Sequence, residues 1–352
     1  MNDPDSGQAM WYSIGDSQNK NQIFADMENN NLSVVITGAS SGIGRATAME
    51  FARKGNKLAL TARRLEALEE VANECRRVGG EAYTYAMDIT DEEKVYEFAR
   101  YANEKMGSID VWVNNAAVAM MGPFDETPMD NIKRLMDVNV LGYMYGARAA
   151  LSYFRNQGRG TLINLSSLVG TTGQPFSIAY TTSKAAIRGM TLCLQQEMAQ
   201  EKDINVCLVS PATVDTPLFQ NAANYMGREI KAMEPVVDAQ SVADEIVSLV
   251  SCPKPEVLVG GMALSSTLMK HISPDGFARM YNKQVQSKHF RQDMSMPDPG
   301  NLYEPGEIAS IDGGWLNGQT SRAVTAQVKT TFLLGLLAAG AVTALLLCRR
   351  DK

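Results

Sequence analysis

Histidine is nearly missing from this chain: 352 residues hold two, His271 and His289, both late. Chemistry centred on histidine would have to use one of them. Cysteine is sparse too. The five residues Cys75, Cys193, Cys207, Cys252 and Cys348 are scattered, with no Cys-x-x-Cys pair. That excludes a disulfide scaffold and a cysteine-rich zinc site, and it fits a reducing compartment; no metal site is expected. A basic excess is also lacking, since 33 Lys and Arg against 39 Asp and Glu give a net charge of −6, so no nucleic-acid partner is expected. Residues 1–31 are polar and lack the basic start and apolar core of a signal peptide. They are expected to form a mobile N-terminal arm. No internal repeat is visible.

Hydrophobic residues make up 45% and charged residues 20% of the chain, a globular balance. From residue 32 onward, short apolar runs alternate with amphipathic stretches, the pattern of βα units. The runs are Leu32–Thr37, Lys57–Ala62, Ala82–Met87, Val111–Asn114, Gly160–Leu165, Asn205–Ser210 and Glu256–Val259. Between them, Leu65, Leu68, Val71, Ala72 and Cys75 keep helical spacing, as do Val95, Phe98, Ala99 and Ala102. The expected fold is α/β: a Rossmann-like, doubly wound parallel seven-stranded sheet. The expected division is one such α/β domain over 32–261, an appendage and linker over 262–330, and a transmembrane helix over 331–348. Within the appendage a helix is expected near Pro274–Ser287. A loop around the Met-Pro-Asp-Pro-Gly run at 296–300 and a linker from 306 should follow.

The first run leads into Thr37-Gly38-Ala39-Ser40-Ser41-Gly42-Ile43-Gly44, and a helical pattern follows. A glycine-rich turn between strand and helix lets backbone approach a pyrophosphate, and the helix start offers free N–H groups. Gly38, Gly42 and Gly44 are therefore cofactor candidates. The same residues also spell G-x-S-x-G, a nucleophile elbow with Ser40 at its centre. A serine hydrolase could complete its set with His271 or His289, although such an elbow normally lies well inside the sheet. The second run ends Thr61-Ala62-Arg63. An NAD site wants a carboxylate near here, and a basic residue suits a 2′-phosphate, so NADP(H) with Arg63 is the expected cofactor.

Tyr180-Thr181-Thr182-Ser183-Lys184 opens another helical stretch. A tyrosine and a lysine four apart share one face. A phenol titrates near 10, too high for acid–base work at neutral pH, and a neighbouring ammonium is expected to lower it. Ser166-Ser167 end the fifth run, where strand ends meet the ligand crevice.

In order and spacing, Thr37-Gly-x-x-x-Gly-x-Gly44, Asp88, Asn114-Asn115-Ala116, Asn139, Ser167, Tyr180-x-x-x-Lys184 and Pro211 resemble the short-chain dehydrogenase/reductase family over about residues 32–261. The resemblance implies a catalytic set of Asn139, Ser167, Tyr180 and Lys184. Tyr180 would exchange a proton with the substrate oxygen and Ser167 would orient that oxygen. Lys184 would hold the nicotinamide ribose, and Asn139 would hold a relay water. It also implies that Ser40, Ser41 and Ile43 belong to the phosphate turn. Asp88 and Ile89 would meet the adenine, Asn115 the adenosine side, and Val214 the carboxamide. Ala117 and Ala212 depart from the family's usual glycines. The reaction expected is hydride transfer between NADP(H) and a carbonyl or alcohol. A non-catalytic NADP-binding regulator is the alternative, disfavoured because the catalytic set is intact.

The long C-terminal extension resembles a bacterial subset of the family that ends in a membrane span. Eighteen uncharged residues, 331–348, would cover about 27 Å as a helix, just short of a ~30 Å hydrocarbon core, with Lys329 and Arg349 placed to snorkel. Because NADPH is intracellular, the catalytic domain is expected in the cytoplasm. The family resemblance places a substrate lid after Pro211, where Leu218, Phe219, Tyr225, Met226 and Met233 make it apolar, with Met120, Met121, Pro123, Phe124, Leu168 and Phe176 expected to line the same mouth. That favours a lipophilic substrate. The family resemblance also implies a homodimer or homotetramer paired through the helices holding Asn139 and Tyr180, and the stretch Tyr143–Phe154 is apolar enough for that.

Overall fold

The computed structural model describes residues 31–260, 269 and 272–316. The expected transmembrane helix, most of the arm, His271 and residues 317–330 lie outside the described residues. Among the described residues, no helix is long and apolar enough to cross a membrane.

Seven parallel strands form the central sheet: β1 (Ser33–Thr37), β2 (Lys57–Ala62), β3 (Glu81–Ala86), β4 (Val111–Asn114), β5 (Gly160–Leu165), β6 (Ile204–Pro211) and β7 (Glu256–Val259). Their order is β3-β2-β1-β4-β5-β6-β7. Strand direction alternates side chains between the two faces, and both faces are dry. Val34, Ile36, Leu58 and Leu60 pack with Phe51, Leu68 and Ile246 on one side. Val35, Ala59, Trp112 and Leu162 pack with Phe98, Ala150 and Phe154 on the other. Burial on both faces explains why these strands read as unbroken apolar runs. The chain order reverses between β1 and β4, which opens a crevice at the carboxyl ends of those strands.

The helices that cover the sheet are α1 (Gly42–Arg53), α2 (Leu65–Arg77), α3 (Glu92–Met106), α4 (Met129–Met136), α5 (Gly142–Gln157), α6 (Ile178–Glu197) and α7 (Ala239–Ser251). On α2 the buried stripe is Ala67, Leu68, Val71, Ala72 and Cys75, while Leu65 stands exposed. Between α4 and α5 the helix widens into a π-turn, Asp137–Leu141. The stretch expected to pair subunits puts Tyr143, Ala147, Ala150 and Phe154 into the chain's own core and leaves Leu141 and Met144 exposed.

The C-terminal extension differs from its expected loop and linker. Helix α8 (Pro274–Lys288) is followed by a strand, Phe290–Met294, paired antiparallel with Arg228–Ile230. Only Phe290 of that strand is buried, so backbone pairing rather than an apolar face holds it in place. Residues 299–316 then run back across the sheet's carboxyl edge. Leu302 is fully enclosed in the core, and Asp215 accepts from the amides of Gly313 (2.9 Å), Trp315 (2.9 Å) and Leu316 (3.2 Å).

Candidate active site

The glycine-rich turn is built without slack. Gly38 has φ +67°, and a Cβ there would lie 2.6 Å from the Ala116 Cα. A Cβ on Gly44 would meet the Gly38 carbonyl oxygen at 2.3 Å and Asn115 Nδ2 at 2.5 Å. Asn115 braces the turn by donating to the carbonyls of Thr37 (2.8 Å) and Gly38 (3.1 Å). Thr37 Oγ1 accepts from the amides of Asn115 (3.0 Å) and Ala116 (3.2 Å). The N-terminus of α1 thereby faces a cavity of about 590 Å³.

Gly38, Ser40, Ser41, Gly42, Ile43, Arg63, Asp88, Ile89, Asn115, Ser167, Tyr180, Lys184 and Val214 all line this one cavity. Gly44 sits just behind it, closing the turn. At its outer end Asp88 accepts from the Thr90 amide (3.0 Å) and hydroxyl (2.9 Å) and from Arg134. Burial works to raise the Asp88 pKa, but these donors together hold it below the ordinary carboxylate value. Arg63 donates to the carbonyls of Asn301 (2.8 Å), Tyr303 (3.1 Å) and Leu302 (3.5 Å).

At the inner end Tyr180 and Lys184 lie one turn apart on α6, with Lys184 Nζ 5.7 Å from the Tyr180 ring centroid. Lys184 is buried and donates to the Leu165 carbonyl at 2.9 Å and to the Tyr143 hydroxyl at 3.5 Å. Burial drives its pKa down to about 7. Burial also raises the Tyr180 phenol to about 12, with only the hydrogen bond to Ser167 acting the other way. No lowering of the phenol by Lys184 accompanies these two effects. Desolvation suppresses both the phenolate and the ammonium that would stabilise it. At neutral pH Tyr180 is a protonated phenol, poised to donate. Ser167 Oγ lies 3.4 Å from the Pro211 carbonyl, at the end of β5, where the strand turns into the cavity.

Asn139 is fully buried in the π-turn behind the cavity. Its Nδ2 donates to the Val118 carbonyl (2.9 Å) and the Ser183 hydroxyl (3.0 Å), and its Oδ1 accepts from the Val118 amide (2.9 Å). Both side-chain amide hydrogens are thereby engaged within the protein. The side chain fixes the π-turn, a helix irregularity common at functional sites, against α6, since Ser183 in turn donates to the Tyr180 carbonyl (2.7 Å).

The titrations of this pair give a stability signature. The Lys184 pKa falls from 10.5 to about 7, so between those values the unfolded chain holds a proton that the folded chain has lost. Stability from this group is lowest below pH 7 and rises across that window. Lys184→Met is expected to remove this rise, as measured by denaturant unfolding at a series of pH values.

The substrate half differs in part from expectation. Met121, Leu168, Leu218, Phe219 and Met233 line the cavity, whereas Phe124 projects into solvent and Met120, Pro123, Phe176, Tyr225 and Met226 stand off the wall. Phe277, Met280, Tyr281 and Gln284 of α8 supply a further wall, beyond the residues expected from the sequence. Their i, i+3, i+4, i+7 spacing was a usable signal. His289 also lines the cavity, with Nδ1 on the Lys231 carbonyl and its ring against Phe219. Among the described residues no hydrogen bond joins Ser40 to a histidine: His289 sets its Nδ1 on the Lys231 carbonyl, and the other candidate, His271, lies outside the described residues.

Fold and site together define a dinucleotide-dependent oxidoreductase. The chain belongs to the short chain dehydrogenase family, whose family model matches residues 33–226. It is 31% identical over 294 residues to the uncharacterized oxidoreductase YxnA of Bacillus subtilis, covering 82% of this chain and 83% of that one. It is 28% identical over 257 residues to estradiol 17-beta-dehydrogenase 11 of Mus musculus, covering 72% and 84%. A solved alcohol dehydrogenase from Thermococcus sibiricus, complexed with 5-hydroxy-NADP, superposes with a TM-score of 0.57 at 28% identity, covering 65% of this chain and 96% of that one. A short-chain dehydrogenase from Streptomyces avermitilis gives 0.60 at 28% identity, covering 73% and 97%.

Proposed function

We propose that this protein is an NADP(H)-dependent oxidoreductase that transfers a hydride to or from a lipophilic carbonyl or alcohol, with Tyr180 as the proton donor and acceptor. The single observation that carries the reading is one cavity running from the glycine-rich turn to the Tyr180–Ser167–Lys184 set. The turn's lack of room for any Cβ at Gly38 or Gly44 fits a close-lying pyrophosphate. The dinucleotide, when bound, supplies the hydride chemistry. The chain's own groups do the rest: Ser167 orients the substrate oxygen, Tyr180 moves its proton, and Lys184 anchors the ribose side beside them.

Preference for the 2′-phosphate rests on Ala62, which leaves the usual carboxylate place empty, and on Arg63 and Arg64 at the cavity wall. Among the described residues, neither guanidinium has a carboxylate within ion-pair distance. The solved Thermococcus sibiricus relative carries an NADP-type ligand, in keeping with this choice. Titration with NADPH and NADH by fluorescence, followed by a screen of hydrophobic ketones for nicotinamide oxidation, tests the reading. Arg63→Ala is expected to weaken NADPH by about tenfold or more through loss of a charge-assisted contact, and NADH much less. Tighter binding of NADH by the unaltered protein would refute the NADP assignment.

The substrate wall of Phe219, Met233, Phe277 and Met280 favours an apolar ligand. The reading includes a C-terminal membrane anchor at residues 331–348 with the catalytic domain in the cytoplasm, supported by those eighteen consecutive uncharged residues, flanked by Lys329 and Arg349. Full-length protein is expected to stay with membranes through a carbonate wash, and a chain stopped at Gln327 to be released. Full-length protein in the soluble fraction would end the anchor proposal.

A further inference from the structure

Residues 299–316 form a strap that is tied to the dinucleotide cleft along its whole length. Four arginines donate to its backbone carbonyls. Arg63 holds residues 301–303, Arg134 holds Leu302 (2.9 Å), Arg64 holds Glu307 (2.8 Å) and Arg45 holds Ala309 (2.8 Å). Gly42, in the phosphate turn itself, donates its amide to the Ser310 carbonyl at 3.0 Å. Asn301, Pro305, Gly306 and Ile308 line the same cavity as Gly38 and Asp88. The strap thus walls the cavity without filling it.

Two details point to a ligand between strap and sheet. A guanidinium carries five N–H donors. The three strap carbonyls engage Nη1 and one hydrogen of Nη2 of Arg63, which leaves Nε and the other Nη2 hydrogen, the edge suited to bidentate phosphate binding. Asn301 Oδ1 is buried at this wall with no hydrogen-bond partner, an arrangement that native structures rarely leave unexplained. A small rotation of its amide would offer that acceptor to a nucleotide hydroxyl or amino group.

We propose that the strap is part of the nucleotide site: a clamp across the adenosine half that sets the plane of Arg63 and has to swing away before the dinucleotide exchanges. This rests on the dinucleotide reading above. A cofactor held this way leaves slowly, and the strap rather than the glycine-rich turn governs its release.

The test uses the full-length protein with NADPH and NADH as probes. Hydrogen–deuterium exchange at 299–316 is expected to slow several-fold on saturation with NADPH. Leu302→Ala, which removes the strap's only fully enclosed apolar anchor among the described residues, is expected to speed NADPH dissociation by about tenfold. Unchanged exchange with NADPH demonstrably bound overturns the clamp while the dinucleotide reading stands. Tighter NADPH binding by Leu302→Ala also overturns it, because the strap would then compete with the nucleotide. Failure of the unaltered protein to bind either dinucleotide would instead remove the reading on which the clamp rests. The exchange measurement needs no variant, so a poorly folding Leu302→Ala leaves the outcome decided.

Discussion

Tyr180→Phe is expected to lower hydride turnover by ~10²–10⁴, the range for removing a general acid, while nucleotide affinity stays nearly unchanged. The substitution keeps the ring against which Lys184 packs and deletes only the hydroxyl that Ser167 contacts. The phenol's pKa of about 12 adds a direction. Carbonyl reduction, which consumes the phenolic proton, should be sustained through neutral pH. Alcohol oxidation, which needs the phenolate, should keep rising with pH toward that value. Steady-state rates in both directions for the two proteins, with fluorescence titration of NADPH, check the prediction. Full turnover in Tyr180→Phe would remove Tyr180 from the chemistry.

Gly44→Ala is expected to be the second most damaging change. Within a helix, alanine normally replaces glycine with a gain of up to ~1 kcal/mol. Here the added methyl would strike the Gly38 carbonyl and the Asn115 amide, both rigid parts of the phosphate turn. Overpacking of this kind costs about 1–3 kcal/mol, or roughly five- to 150-fold in nucleotide affinity if the turn opens to make room. Calorimetric titration with NADPH, alongside thermal unfolding, separates a spoiled turn from a destabilised fold. An alanine variant that binds as tightly as the original would show the turn to be more yielding than its contacts imply.

The sheet was legible because its strands are buried on both faces. Lys57–Ala62, Val111–Asn114, Gly160–Leu165 and Glu256–Val259 begin and end where the apolar runs do. The site was legible for a related reason: Tyr180, Lys184 and Ser167 sit at strand and helix ends that the topology brings together. What escaped was structure made by backbone. Phe290–Met294 has four exposed residues and becomes a strand only because Arg228–Ile230 offers a partner. The strap is held through its carbonyl oxygens, which every residue possesses and no side-chain pattern announces. The guanidiniums of Arg45, Arg64 and Arg134 were visible in the sequence, but not what they would grasp. The sequence marks Arg63 for a phosphate, yet its first partners are Asn301, Leu302 and Tyr303. Desolvation was equally invisible: the spacing of Tyr180 and Lys184 predicts their proximity, whereas their titration depends on how completely the surrounding chain excludes water.

The contact between Arg45 and Ala309 joins residues 264 apart in the chain, and the Gly42–Ser310 hydrogen bond is of the same kind. Contacts of such long range close late, because the intervening chain must be ordered first. During synthesis β7 is complete by Val259, some forty residues before the strap is made. The nascent domain can therefore assemble its whole sheet with the crevice still open, and the strap arrives last. On the clamp proposal, a nucleotide seated at that moment would be enclosed as the strap closes over the crevice.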